Sequence, residues 1–560
     1  MLFSEIMTLN SLLISHPSLA EPKGVVYTKA WVVNLLLDLA GYCPKRNLVD
    51  LVAIEPAAGD GAFLGSMIKR LLESCQRQGR SIEECVSSLI GYELSETSAN
   101  RTRAMAFRIL TEGGVKQSVA EHLAGSWVRN SDYLLEVHSA ADFVIGNPPY
   151  VRLEDLPEDT AALYRRTYIT MRGRADLYVA FFEAALRQLK KDGVCAFICA
   201  DRWMRNQYGS DLRRLVTSAY SVDVVMEMHD ADAFHDEVDA YPAITLIRRK
   251  RQGPVVIAAA SKAAEINESH TLCDSLEQII CKELTTLPEG LNAARLDTWF
   301  EGDEPWPCSS PKQLALLRKL ETQFPPLESG SKRTVVGIGV ATGIDEVFIT
   351  KDPNLVEPSR LVRLAVARDI CDGKMNWSGN YLVDPWEKSG LADLTRFPRL
   401  RLYFEQNAAL IKKRNTAKKN PHAWYRTIDR VNHALIGAPK LYIADIKNYL
   451  NPVLDLGETY PHHNLYFIQS NEWDLEVLGG LLISSIGQFF VESYGVRMRG
   501  GYFRFQAQYL RRIRVPDPKT ISKVDRESLR KAFQLRDRPS ATRIALGIYG
   551  IEEKEMDIAL

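Results

Sequence analysis

The chain has 560 residues, 46% apolar and 25% charged, with 70 Lys+Arg balancing 70 Asp+Glu. This composition excludes a disordered or low-complexity chain and holds material for more than one core. At roughly 100–200 residues per domain the length predicts two to four domains, and zero net charge excludes a polyanion-binding character spread over the whole molecule.

Residues 1–23 read as a helical lead, with no basic segment followed by a long apolar run that would mark a signal peptide. From Gly24 to Lys250 strand-like and helix-like patterns alternate. "LVAIEPAAGDGAFL" reads as strand, glycine turn and helix, "VSSLIGYELSE" as a strand ending in acids, and "ADFVIGNPPY" as a strand stopped by two prolines. "ADLYVAFFEAALRQLKKDG" has helical spacing and ends on a glycine, a C-terminal signal. "VCAFICA", "VDVVMEM" and "AITLIRRK" read as strands. This alternation predicts an α/β domain with a mostly parallel sheet covered on both faces. Residues 251–330 are less regular and proline-rich, and read as a linker or bridging region. Over 331–515 short strand-like pieces ("TVVGIGV", "EVFIT", "KLYIADI", "HNLYFI") mix with helices and predict a separate α+β domain, followed by a helical tail over 516–560.

The nine cysteines (43, 75, 85, 195, 199, 273, 281, 308 and 371) form no CxxC, and no histidine cluster has zinc-like spacing. The expectation is reduced thiols in a cytoplasmic protein, with no metal. No run of about 18 apolar residues predicts a membrane span.

Three features carry chemistry. "IEPAAGDGAFL" places Glu55, Gly59 and Gly61 after a strand and at a helix start, where glycines let backbone approach a ligand. It is neither GxGxxG nor a phosphate loop, and it lacks the lysine of the latter, which disfavours an NTPase. Glu93 ends the next strand, where an acid can bond ribose hydroxyls. Either signal alone is also a plain turn or a solvated acid; their order points to a nucleoside cofactor. The third feature is Asn147-Pro148-Pro149-Tyr150. An exocyclic amino group on adenine is a poor nucleophile, because its lone pair is delocalised into the ring. Acceptors on Asn147 and the Pro148 backbone, aimed at its two hydrogens, pull the nitrogen towards tetrahedral geometry. Tyr150 offers a ring for stacking on a base. A bare Pro-Pro is most simply a rigid turn.

With these motifs in this order, the sequence resembles the N6-adenine DNA methyltransferases, and most the TaqI-like group, over residues 24 to about 515. The resemblance implies a Rossmann-like S-adenosylmethionine-dependent methyltransferase domain over 24–250 and a DNA target-recognition domain over 331–515. "GVVYTKAWVV" resembles the first cofactor motif, with Thr28 near the methionine moiety. The glycine motif, Ala-Ala-Gly-Asp-Gly, departs mildly from the common Ala-Cys-Gly-Ser-Gly. Glu93 is implied to hold the ribose, Asp132 to read the cofactor's adenine amine, and Phe181 to pack on that adenine. Asn147, Pro148 and Tyr150 are implied to be catalytic, and Phe234 to stack on the flipped target base. "VATGIDEVFIT", "APKLYIADI" and "RGGYFRFQAQYLRRIRVP" resemble specificity-domain segments.

The implied cofactor is S-adenosyl-L-methionine, the implied substrate double-stranded DNA, and the implied role modification beside a separate cognate restriction endonuclease. DNA binding needs cations. Arg399–Arg430 holds nine Lys/Arg against two acids, and Arg497–Arg514 holds six arginines and no acid. Lys412, Lys413, Arg414, Arg497, Arg499 and Arg504 are the candidate DNA contacts, against the simpler reading of a solvated face. Protein-glutamine, RNA-adenine or N4-cytosine methylation are alternative readings. So is a catalytically silent DNA-binding subunit. A fused nuclease is not expected, since only about 23 residues precede the first motif.

Overall fold

The computed structural model describes residues 27–559 except 236–240, 282–285, 308–310, 330–332, 372 and 499–501. The helical lead at 1–23, Cys308 and Arg499 lie outside the described residues. The chain divides into two compact units, Met1–Pro311 and Lys312–Leu560.

The first unit is a doubly wound α/β sheet. Its strands are β1 (Ala53–Glu55), β2 (Leu89–Glu93), β3 (Val128–Asn130), β4 (Ala141–Gly146), β5 (Leu189–Ala200), β6 (Ser221–Asp230), β7 (Pro242–Arg248), β8 (Val255–Ser261) and β9 (Leu291–Leu296). They lie in the order β3-β2-β1-β4-β5-β7-β6-β8-β9. The run from β3 to β5 is parallel. β7 is antiparallel to both β5 and β6, and β9 is antiparallel to β8. The strand order reverses between β1 and β4, and a doubly wound sheet binds its ligand at the carboxyl ends of the strands at such a switch point.

Strands buried on both faces explain the continuous apolar runs of the sequence. On one face Phe143, Ile145, Val194, Ala196 and Ile198 join a core with α1 (Ala30–Ala40) and α2 (Ala62–Gln78). On the other, Phe197 packs at 5.0 Å on Phe182. The intervening helices are α3 (Glu96–Glu112), α4 (Gln117–Trp127), α5 (Glu158–Thr167) and α6 (Tyr178–Gln188). α1 ends on Gly41 at φ +77°, whose amide donates to the Asp38 and Leu37 carbonyls, closing the last turn. Burying each of its leucines stabilises the unit by about 2 kcal/mol.

Three local readings are corrected. α6 stops at Gln188 rather than on Gly193, because the chain enters β5 directly. Residues between Ala141 and Phe143 of β4 shift register against β5, so Lys190–Gly193 is absorbed as a bulge with Asp192 at φ +63°. The stretch expected as a bridge, 251–330, instead supplies β8 and β9, since alternating apolar residues such as Val256 and Ala258 cover the same core. "EVFIT" is a short helix, Asp345–Phe348, followed by the two-residue strand Ile349–Thr350.

The second unit is α+β. Strands Thr334–Ile338, Leu465–Ser470, Lys440–Ala444 and Val453–Asp455 form an antiparallel sheet in that order. Lys440 and Asp455 make a fully buried ion pair of 2.9 Å on it. In the tail, helix Lys523–Leu535 packs on helix Leu475–Ile483. A Cβ on Gly480 would stand 2.6 Å from the Leu529 carbonyl oxygen, so only glycine permits that approach. No single helix among the described residues is long and apolar enough to cross a membrane.

Candidate active site

The candidate site sits at the carboxyl ends of β1, β2 and β4. After β1 the chain turns through Gly59 at φ +55° and Gly61 at φ +86°, then enters α2. The turn is knitted to its neighbours. Ala58 donates to the Tyr92 carbonyl at 2.8 Å and Gly61 to the Ala58 carbonyl at 2.7 Å. The Thr102 hydroxyl donates to the Gly59 carbonyl at 3.0 Å. The two glycines differ. A Cβ on Gly61 would stand 2.2 Å from the Met105 methyl, whereas one on Gly59 would meet nothing within 4 Å. Gly59 therefore faces open space.

Glu93, at the end of β2, accepts from the Gly59 amide and from the Ser95 amide, both at 2.8 Å. Burial holds its carboxyl above the usual range, partly offset by those amides. Glu55 is 1% exposed. Burial pushes its carboxyl well up, the Leu64 amide in the first turn of α2 pulls it back, and its Oε2 has no partner among the described residues. Asp132 caps the turn Tyr133–Leu135, and its Oδ2 accepts from the Tyr164 hydroxyl of α5 at 2.6 Å. Burial raises this carboxyl too. Phe181, on α6, is buried and stacks on Tyr133 with centroids 5.4 Å apart and planes 24° apart.

β4 ends at Gly146, where a Cβ would lie 3.3 Å from Pro56 Cδ, so the end of the fourth strand sits against the end of β1, from which the glycine turn leads off. Asn147 follows, half-buried, and its Nδ2 donates to the Thr28 hydroxyl at 3.1 Å. This turns Oδ1 away from Thr28. Thr28 in turn forms a β-bridge with Phe234. The structure thus gathers Thr28, Asn147 and Phe234 from three distant segments. Pro148 is buried. The Tyr150 ring meets Tyr178 edge-on at 6.3 Å, and its hydroxyl is buried without a partner among the described residues. Phe234 is 8% exposed and joins the sheet core.

The second unit separates its cations. Lys412 and Lys413 are exposed, with Lys412 Nζ 4.9 Å from the Trp424 ring. Arg414 donates to the carbonyls of Thr342, Trp424, Arg426 and Ile411 at 2.7–3.1 Å and lies over Phe348. This corrects its reading as a DNA contact: the guanidinium ties the Thr342 turn and the Trp424–Arg426 loop to the end of its own helix rather than standing free for a phosphate. Arg504 pairs with Asp445 at 3.2 Å. Arg497 lies on strand Val496–Met498, with its side chain outside the description, as Arg499 is entirely.

A family model described as Eco57I restriction-modification methylase matches residues 100–234. Over 542 residues the chain is 40% identical to the Type II methyltransferase M.PaeR7I of Pseudomonas aeruginosa, covering 96% of this chain and 93% of that one. The chain belongs to the Type II methyltransferases of restriction-modification systems. M.XhoI of Xanthomonas vasicola is 39% identical over 549 residues, 96% of this chain and 99% of its own. M.BstVI of Geobacillus stearothermophilus is 37% identical over 553 residues, 96% and 97%. The solved structure of the Type IIL restriction-modification enzyme MmeI in complex with DNA shares the fold. Its TM-score is 0.59 at 13% identity, covering 99% of this chain and 77% of that one.

Sequence reasoning missed two polar clusters in this methyltransferase's first unit. Behind Tyr150, the Tyr178 hydroxyl meets the Tyr208 hydroxyl at 2.6 Å, and Tyr208 donates to Asp176 at 3.0 Å. Asp176 and Tyr178 lie in the quoted "ADLYVAFF" run, but only the fold brings Tyr208 to them. Beside β5 and β6, Arg205 Nη2 reaches Glu227 at 2.9 Å and Asp201 at 3.5 Å, with His229 on Asp201 at 3.2 Å.

Proposed function

We propose that this chain is a TaqI-like, site-specific adenine-N6 methyltransferase acting on double-stranded DNA, with S-adenosyl-L-methionine as methyl donor. We read its role as the modification partner of a separate restriction endonuclease. One observation carries this reading. Asn147, followed by two prolines, stands at the end of β4 with its amide held by Thr28 and the glycine turn alongside.

The residues fit the cofactor. Gly59 presents open space at the switch point, and Glu93 at the end of β2 is placed for the ribose. In this reading Glu55 and Gly61 shape the same cradle, Asp132 reads the adenine amine, Phe181 packs on its ring, and Thr28 borders the methionine end. Bound there, S-adenosylmethionine supplies an electrophilic methyl group on a sulfonium.

A base within a duplex cannot reach such a pocket, so the target adenine swings out at a cost of a few kcal/mol. Stacking on Tyr150, at about 1–3 kcal/mol per base, offsets part of that cost. Phe234 would share the stacking by turning its ring out of the core. The Asn147 Oδ1 and Pro148 carbonyl accept from the two N6 hydrogens, localise the lone pair on nitrogen and aim it at the methyl. With the cofactor bound, the N6–methyl bond would form as the sulfonium S–methyl bond breaks and the neutral thioether leaves, and the extra N6 proton would then pass to water, so no strong base is required. Lys412, Lys413, Arg497, Arg499 and Arg504 are the proposed phosphate contacts; Arg414 is not among them.

Asn147→Ala tests this. Removing one preorganised acceptor of developing charge lowers the transfer rate by about 10²–10³, with cofactor affinity changed less than threefold. Near-wild-type transfer by a variant that still binds cofactor overturns the assignment.

A further inference from the structure

We propose that Asp345, His462 and His463 form a binding site for a divalent transition-metal ion, zinc by its ligand set, in the second unit. The site is independent of the methyl-transfer reading, and it reverses the expectation of no metal.

His462 Nε2 lies 3.2 Å from Asp345 Oδ2 and 3.0 Å from His463 Nδ1. All three donor atoms are within 4.8 Å of one another. Tetrahedral coordination with bonds of about 2.0–2.1 Å sets neighbouring donors about 3.3 Å apart, close to the two separations about His462 Nε2, 3.2 and 3.0 Å, while the third lies within 4.8 Å. An imidazole nitrogen carries one proton or one lone pair. Nε2 of His462 therefore satisfies only one of its two neighbours by hydrogen bonding, whereas a cation between them satisfies all three. His462 is 4% exposed, so the crowded Nε2 contact with Asp345 and His463 is shut off from bulk water.

The frame is rigid. His462 donates its amide to Ala365 at 2.9 Å, His463 donates to Val340 at 3.1 Å, and the other Asp345 oxygen meets the Thr342 hydroxyl. The cluster borders a cavity of about 320 Å³ that Arg368, Asn380 and Asn464 also line. That leaves a fourth position for water or an anionic oxygen. A bound ion pins the turn at Thr342–Asp345 to a segment 117 residues away. The first unit's Asp201, Glu227 and His229 also converge, but there the Arg205 guanidinium already supplies the cation.

The test uses the full chain, stripped with chelator and then dialysed against zinc alone, with bound metal measured by elemental analysis. One zinc per chain and a higher Tm are expected. His463→Ala, at an exposed position, and Asp345→Asn lower the stoichiometry well below half and abolish the Tm gain; His229→Ala leaves both intact. Metal-free Tm values match wild type if the variants fold, and His463→Gln serves as a second variant. Cobalt in place of zinc gives tetrahedral visible bands that are lost in His463→Ala. A folded wild type that retains no zinc, or a His463→Ala chain that keeps its full equivalent, overturns the proposal.

Discussion

The Asn147 amide donates to the Thr28 hydroxyl at 3.1 Å, across 119 residues of chain. In the proposed reaction this bond sets which end of the amide faces the target base. Thr28→Val keeps the shape and removes the acceptor. A lost hydrogen bond of about 0.5–1.5 kcal/mol predicts a kcat lower by about 2–10-fold. Steady-state kinetics checks it: a role through Asn147 lowers kcat and leaves cofactor Kd within twofold.

Gly59 and Gly61 predict opposite failures. Both have positive φ, so alanine costs about 1–2 kcal/mol of backbone strain at either. Gly59→Ala projects its methyl into open space and is expected to weaken cofactor binding at least tenfold with little further loss of Tm. Gly61→Ala collides with Met105 and is expected to lower Tm more than Gly59→Ala does. Cofactor titration and thermal unfolding of the two variants separate the cases.

β4 and the motif behind it were legible because a strand buried on both faces reads as an apolar run, and two prolines mark its end without ambiguity. The glycine turn and Glu93 were legible for the same reason: local chemistry announces them. What was not legible depends on distance. Tyr208 reaches Tyr178 only through the fold, and Arg414 looks like any residue of a basic run until four carbonyls close on it. His462 and His463 looked unremarkable without Asp345, 117 residues upstream. β9 was hidden because it is an edge strand of mixed, half-buried residues, and β8 because its short run of small apolar residues, Val255–Ser261, stands outside the regular strand–helix alternation upstream.

Two buried groups predict opposite pH responses. Burial pushes His138 from 6.5 down to about 4. The unfolded chain then binds the extra proton first, so stability from this group is full above pH 6.5 and is lost between about pH 6.5 and 4. His138→Phe is expected to flatten the fall of Tm in that window. Glu55 is raised instead, so its ionisation costs stability as pH rises above 4.5 through the folded value. Glu55→Gln is expected to raise Tm at pH 8, with the gain vanishing near pH 4, while cofactor binding weakens. Melting curves across pH check both.

Lys412 and Lys413 are expected to act on DNA and Arg414 on the fold. Each lost phosphate contact lowers the slope of log K against log salt by about 0.9. Lys412→Ala with Lys413→Ala is therefore expected to reduce that slope by about 1–2 at unchanged Tm. Arg414→Ala is expected to lower Tm. Salt-dependent DNA binding beside thermal unfolding decides it.

The central claim is tested most directly by the identity of the methylated base. The full chain is incubated with labelled S-adenosylmethionine and unmethylated duplex DNA, and the product is digested to nucleosides. The account predicts N6-methyladenine at one recurring sequence, formed about 10²–10³-fold more slowly by Asn147→Ala. Label on cytosine, on RNA or on protein, with none on adenine in DNA, contradicts it.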